Sequence, residues 1–391
     1  MSKNIRLSVF KTFVQSSNFG GFLLFFAVVA SLIVANTSLA GDLQSFLDQK
    51  IGFENDRIHL NYSISMWIND GLMAVFFLFV GLEIKREIIE GELSSPRKAA
   101  LPIVCAIGGA VIPALAFLAF NQNSDSSQGW GIPMATDIAF ALAVISLLDR
   151  RVPPSLKIFL AALAIVDDLI AILVIAIFYS SGIELLYLGY ALAGMIVLLL
   201  MNRFNVKNPW LYLIPGVFIW YFIHHSGIHA TIAGVLVAMT IPTNAIAEDS
   251  PLEKLEHAIA KPVNLLIIPV FAFANTNITW EAEMASGLTQ PLGLGIAFGL
   301  LVGKPVGIML ASMICVKMKW GTLPLNSGWS HILGVSFLAA IGFTMSIFIS
   351  ILSFDDPVYV SQAKLSVLLS SILAGILGFF ILKYSKPFTV K

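Results

Sequence analysis

Four ionisable side chains stand at the centres of otherwise apolar stretches of membrane-spanning length: Asp137, the adjacent pair Asp167 and Asp168, and Lys304. The stretch 156–179 has its midpoint between the two aspartates, 292–316 is centred on Lys304, and Asp137 lies near the middle of 130–148. A charge at that depth costs roughly 2.5–3.5 kcal/mol on insertion scales, so four cost on the order of 10 kcal/mol unless they pair or line a wet cavity. Intramembrane charges of this kind mark ion and proton pathways.

Composition agrees. With 58% hydrophobic residues, 12% charged residues and a mean hydropathy of +0.87, the chain is far from the soluble balance of about 25% charged. It reads as an all-α polytopic membrane protein. At about 20 apolar residues per crossing, the segments fall near 19–40, 64–84, 99–120, 130–149, 155–180, 185–202, 210–223, 227–241, 258–276, 292–316, 331–353 and 360–383. With the N-terminus inside, nineteen of the twenty-three Lys and Arg residues face the cytoplasm; Lys50, Arg57 and Lys364 fall outside and Lys304 within. That bias supports an even number of crossings and two cytoplasmic termini. Trp67, Trp130, Trp210, Trp220, Trp280 and Trp329 stand at or near segment ends, as interfacial anchors do. The basic N-terminus (Lys3, Arg6, Lys11) precedes an apolar run ending in Ser38-Leu39-Ala40, a passable cleavage site, but the run from Gly20 is long for a signal sequence and is expected to be retained as a crossing. Cys105 and Cys315 sit in apolar segments and imply neither a disulfide framework nor a metal set.

Two polar stretches interrupt the pattern. Residues 41–63 alternate enough for a short hairpin outside, and 243–257, with Glu248, Asp249, Glu253, Lys254, Glu256 and His257, reads as a charged cytoplasmic loop. Two membrane segments carry breaking residues: Gly129, Gly131 and Pro133 precede Thr136 and Asp137, and Gly334 and Gly342 precede Thr344. Proline removes a backbone donor, glycine weakens a helix, and Thr or Asp after a break is suited to capping a new half-helix. Residues 99–180 carry the first break and the aspartate pair, and 292–383 carry Lys304 and the second break. Interrupted segments at corresponding places in two halves point to inverted repeats with a site between them.

The chemistry follows from the residue types. Two neighbouring carboxylates in a low-dielectric cavity cannot both ionise easily, so they hold protons at ordinary pH. A small hard cation prefers carboxylate, carbonyl, hydroxyl and water oxygens, and enters only when those protons have left. Competition for one site that faces one side at a time is sufficient to exchange sodium against protons. Adjacent helical residues point about 100° apart, so Asp167 and Asp168 are expected to have different partners: Asp168 the cation, Asp167 a proton-linked pairing with Lys304.

Six strings, in order over essentially the whole chain, closely resemble the NhaA family of bacterial sodium/proton antiporters: Gly81-Leu82-Glu83-Ile84-Lys85-Arg86-Glu87, Ala135-Thr136-Asp137-Ile138-Ala139-Phe140-Ala141, Ala164-Ile165-Val166-Asp167-Asp168-Leu169, Phe271-Ala272-Phe273-Ala274-Asn275, Gly303-Lys304-Pro305 and Gly342-Phe343-Thr344-Met345-Ser346. The resemblance implies twelve transmembrane helices in an inverted-repeat fold, with segments four and eleven unwound and crossing at mid-membrane. It also implies a homodimer in the bacterial inner membrane, joined partly by a hairpin at 41–63. Carried over by position, Asp167 and Asp168 match the binding carboxylates, Thr136 and Asp137 the first unwound stretch, Lys304 the embedded lysine and Asp70 a further acidic position. Glu83, Arg86, Glu87, Glu256 and His257 match a cytoplasmic cluster linked with pH response, and His229 a histidine associated with pH sensitivity. The implied activity is electrogenic, pH-regulated exchange of Na+, and of Li+, for inward-moving protons, with no cofactor, nucleotide or nucleic acid. Departures from the pattern are Ile170 in place of the usual glycine and Ala274-Asn275-Thr276-Asn277 in place of Ala-Asn-Ala-Gly.

Plainer roles stand beside these. Asp167 and Lys304 form either part of the proton path or a structural ion pair, Asp137 either touches the cation or neutralises the positive end of a half-helix, and Thr136 is either a ligand or a cap. His229 suits structural hydrogen bonding as well as function, and Asp70 a solvated charge at a helix end. A cation-coupled symporter of organic solutes is the closest rival function and a channel the next; the lack of a nucleotide-binding loop argues against an ATP-driven pump.

Overall fold

The computed structural model describes residues 20–55, 59–122, 124–148, 151–180, 182–243, 250–280 and 286–385. Lys3, Arg6, Lys11, Arg57, Arg150, Glu248, Asp249, Lys386 and Lys391 lie outside the described residues. The protein is built almost wholly of helices, and the one sheet among the described residues is a two-stranded hairpin. Six helices are long and apolar enough to cross a membrane: Pro96–Asn121, Pro154–Phe178, Leu185–Arg203, Pro251–Asn275, Pro291–Lys317 and Pro357–Tyr384. Three more spans arise when a bent pair is taken together: Gly20–Ala35 with Ala40–Asp48 (110°), Asp125–Met134 with Ile138–Ser146 (41°) and Trp329–Ala339 with Phe343–Ser353 (45°). This is a multi-pass membrane protein.

The segment expected at 64–84 is one continuous helical run, Ile64–Met66, the wide-turned Trp67–Leu72 and Met73–Ile89, and the one expected at 210–223 is the helix Trp210–His225. Local structure departs from the sequence expectation at 227–241, where the helix is the 9-residue Ile232–Thr240. It rises only about 14 Å at 1.5 Å per residue, short of a hydrocarbon core of about 30 Å. The stretch 243–257 is not all loop, because a helix starts at Pro251. There Ser250 Oγ accepts the Glu253 N–H at 3.2 Å, the Ser250 N–H donates to Glu253 Oε2 at 3.3 Å, and Pro251 takes the first helical position. The outer stretch 41–63 is a short helix, Ala40–Asp48, followed by a hairpin in which Lys50–Ile51 pairs antiparallel with Tyr62–Ser63.

Contacts divide the chain into two compact units. The first comprises Met1–Phe22, Gly91–Val174 and Trp280–Lys391. Twice in it a long helix is followed by an interrupted one and then by a second long helix, through residues 96–178 and again through 291–384. Helices Pro96–Asn121 and Lys304–Lys317 approach so closely that a Cβ added to Gly108 would lie 2.6 Å from Ala311 Cβ, and one on Gly303 2.8 Å from Pro113 Cα. Small residues allow this backbone approach where no hydrophobic drive between helices exists. Gly334, expected to weaken its segment, lies within an unbroken half-helix and makes room for Leu382, whose Cδ2 would be 2.6 Å from a Cβ there.

The second unit comprises Leu23–Glu90 and Ile175–Thr279. Helix Met73–Ile89 packs on the short Ile232–Thr240, with Gly81 against Ala238 (2.7 Å to an added Cβ), and Leu185–Arg203 packs on Trp210–His225 at Gly194 and Ile219. Lys85 Nζ donates to Met239 O and Ile241 O (2.7 and 2.6 Å) and Asn202 Nδ2 to Thr240 O (2.7 Å), so the C-terminal carbonyls of the short helix are satisfied by side chains.

Gly108→Val is expected to lower the detergent melting temperature through overpacking worth about 1–3 kcal/mol. Gly189→Ala, where an added Cβ meets nothing within 4 Å, should leave it unchanged or raise it.

Candidate functional site

In the first unit the two interruptions are stitched to each other. Asp125–Met134 is a tight three-residue-per-turn helix containing Pro133, residues 135–137 are extended, and Asp137 caps Ile138–Ser146 by accepting the Phe140 N–H at Oδ1, 3.0 Å. The second interruption, at 340–342, ends one half-helix and starts Phe343–Ser353 with Gly342 at the cap, which has no side chain to offer. Asp137 supplies what is missing, its Oδ2 accepting both the N–H (3.0 Å) and the O–H (2.5 Å) of Thr344. One carboxylate therefore caps two helices. Thr344, expected to cap its own half-helix, instead spends its hydroxyl on Asp137. The Asp137 N–H donates to Ile341 O at 2.6 Å and Ser346 Oγ to Ile132 O at 2.7 Å.

Lys304 meets this junction from the side. Its ammonium has three protons and three acceptors: Met134 O at 2.5 Å, Thr136 Oγ1 at 2.6 Å and Asp167 Oδ2 at 2.8 Å, with no side-chain exposure on either member of the ion pair. The single Thr136 hydroxyl proton has two acceptors in reach, Asp167 Oδ2 at 2.5 Å and Ala339 O at 2.8 Å. Asp168, the next residue on the helix, is equally buried, and its Oδ1, like that of Asp167, has no hydrogen-bond partner. The site thus holds one ammonium and three carboxylates, one capping, one tied to lysine and one open. Open carboxylate oxygens beside a threonine hydroxyl and backbone carbonyls suit a proton or a small hard cation. Sequence reasoning found every side chain here but missed the carbonyls of Met134, Ala339 and Ile341, which have no signature in residue type.

The remaining candidates lie in the second unit. Arg86 Nη1 is 2.7 Å from Glu256 Oε1 and its Nη2 is 3.5 Å from Glu87 Oε1, while Glu83 and Glu256 are buried and Glu256 Oε2 is unpartnered. Nearby, Thr243 Oγ1 donates to Glu90 Oε1 at 2.9 Å. His257 is exposed and does not enter the cluster, because neighbours on a helix diverge by about 100°. Asp70 pairs with His224 Nδ1 at 3.3 Å, beside the stacked rings of Trp67, Trp220 and His224. His229 hydrogen-bonds the Tyr179 backbone and leaves Nε2 without a partner. Lys85, Glu90 and His224 were not singled out from the sequence; Lys85 lies within one of the recognised strings, but its carbonyl partners are set by the tertiary fold.

Residues 11–382 match the family described as Na+/H+ antiporter 1. The chain is 60% identical over 388 residues to a Na+/H+ antiporter of Flavobacterium johnsoniae, covering 99% of this chain and 95% of the relative. It is 48% identical to one of Pelagibacter ubique (98% and 99% covered) and 44% identical to one of Klebsiella pneumoniae (97% of each).

Asp137→Ala removes the acceptor for two helix starts and is expected to lower the melting temperature by the equivalent of about 1 kcal/mol per cap. Thr344→Val, which keeps its N–H bond to Asp137 and loses only the hydroxyl, should cost less; equal losses would mean that Asp137 does not bridge the two half-helices.

Proposed function

Because this chain belongs to the Na+/H+ antiporter 1 family, and so exchanges sodium for protons across a membrane, we propose that the exchange runs through Asp168 and Asp167, with Lys304, Thr136 and Asp137 holding the site and balancing its charge. The observation that carries this reading is the asymmetry of the aspartate pair: both keep a buried, open Oδ1, but it is Asp167 whose Oδ2 is bound to Lys304 and Thr136. Asp168 takes the cation when its proton leaves, and Asp167 turns from Lys304 to share the cation while the Lys304 ammonium gives up a second proton. The released protons move in the opposite direction once the site faces the other side. Asp137 ties the two interrupted helices together and balances the positive ends of their half-helices without itself giving up its caps.

Around that centre the proposal extends to a twelve-crossing inverted-repeat fold, supported by the two successions of long, interrupted and long helices through 96–178 and 291–384. It extends to a bacterial inner membrane location with both termini cytoplasmic, supported by the distribution of Lys and Arg, and to a homodimer using the hairpin Lys50–Ile51/Tyr62–Ser63. Lithium is carried as well, since the ligand oxygens select for hardness and charge. Transport is electrogenic and pH-regulated, with Arg86, Glu87, Glu83 and Glu256 as the responding cluster. The two remaining readings fail differently: a solute symporter takes up sodium only with its solute, and a channel conducts without counter-ion.

In proteoliposomes with an imposed pH gradient, added sodium should collapse the gradient in the wild type, not at all in Asp168→Asn, and barely or not at all in Asp167→Asn. Because protons and sodium compete, the sodium concentration for half-maximal exchange should rise as pH falls, by up to about tenfold per unit for each proton displaced. Robust sodium-driven proton movement in either Asn variant would remove the two-carboxylate site. Glu256→Gln should move the pH profile of exchange more than its maximal rate. A collapsed rate with an unmoved profile would make Glu256 structural.

A further inference from the structure

An α-helix has 3.6 residues per turn, so a residue repeated at every fourth position drifts about 40° around the axis at each step. Gly295, Gly299, Gly303 and Gly307 repeat at four, yet all come against helix Pro96–Asn121: a Cβ on them would meet Phe117 Cδ2 at 2.9 Å, Pro113 O at 3.2 Å, Pro113 Cα at 2.8 Å and Gly108 C at 2.8 Å respectively, with Gly299 also against Pro133 Cβ at 2.7 Å. Over that row an unbroken α-helix would have turned about 120° away. The drift is absorbed at Gly299–Gly303, a wide turn closed by the Lys304 N–H reaching back five residues to Gly299 O. The next residue, Pro305, has no N–H to give Leu301 O, and its ring opposes an ordinary α turn there. The same combination recurs where the Ile268 N–H reaches Val263 O and Pro269 follows. Lys304 is itself the closing residue, so the width of this turn sets the direction in which its side chain leaves the helix.

We infer that Pro305 is a positioning residue for exchange: it keeps the turn Gly299–Gly303 wide and so aims Lys304 Nζ at Met134 O, Thr136 Oγ1 and Asp167 Oδ2. This rests on Lys304 taking part in exchange as proposed above. Pro305→Ala returns the missing donor and lets the turn tighten. The test is a double-mutant cycle in the full-length protein with Lys304→Gln, reading the rate and pH profile of sodium-driven exchange in proteoliposomes and the melting temperature in detergent. In the wild-type background Pro305→Ala is expected to cut the rate by about tenfold or more, shift the pH profile as Lys304→Gln does and lower the melting temperature. In the Lys304→Gln background it should change rate, profile and melting temperature little further, because the lysine it aims is gone. Equal losses in both backgrounds, or none in the wild type, overturn the inference. The melting-temperature cycle reads the coupling even if Lys304→Gln is inactive, and Pro305→Gly, which returns the donor with a weaker helix former, replaces an Ala variant that cannot be purified. A Lys304→Gln protein with wild-type rate and pH profile is a different failure, removing Lys304 from exchange altogether.

Discussion

An ammonium group with no exposed surface survives only where acceptors meet every proton, and Lys304 meets three. Two belong to one interruption, Met134 O and Thr136 Oγ1, and the third is Asp167 Oδ2. Removing one member of such a buried pair leaves an uncompensated charge, which is far more costly than never having had the pair. The interruption of the helix at 135–137 is therefore also the source of lysine's partners, since a continuous helix would have used the Met134 carbonyl for its own ladder. The charge and the break depend on each other.

The second interruption obeys the same accounting. A helix that starts inside a membrane exposes N–H groups that no water reaches. Here Asp137 is the common acceptor for both half-helix starts, and Ala339 O and Ile341 O accept from the Thr136 hydroxyl and the Asp137 N–H. Each break thus supplies partners that the other lacks. Next to it Asp168 keeps an open oxygen. Asp167 likewise keeps its Oδ1 open while its Oδ2 is held by Lys304 and Thr136, so open carboxylate oxygens lie beside groups whose bonds are already made.

The second unit manages its charges differently. Arg86 is shared between Glu256 and Glu87, and Lys85 is turned to the carbonyls of Met239 and Ile241. Successive residues of one helix thus serve a charged cluster and a helix end, a division imposed by the angle of about 100° between neighbours. The same angle sends His257 to the surface while Glu256 is buried.

How much of this was legible in the sequence depended on the range of the interaction. Membrane-spanning character, the depth of Asp137, Asp167, Asp168 and Lys304, and the conflict of Gly and Pro with a helix before Thr136 are properties of composition and spacing, and a bilayer enforces them locally. The capping box at Ser250 and Glu253 was equally local, but it was read as loop because charge there outweighed the motif. Gly334 was misread because a glycine that breaks a helix and one that admits Leu382 look alike until the neighbour is known. The Met134, Ala339 and Ile341 carbonyls and the double capping by Asp137 were decided only by tertiary structure. Backbone groups carry no residue-specific signal, and which side chain they meet depends on segments some 170 to 200 positions apart, such as Met134 with Lys304 and Thr136 with Ala339.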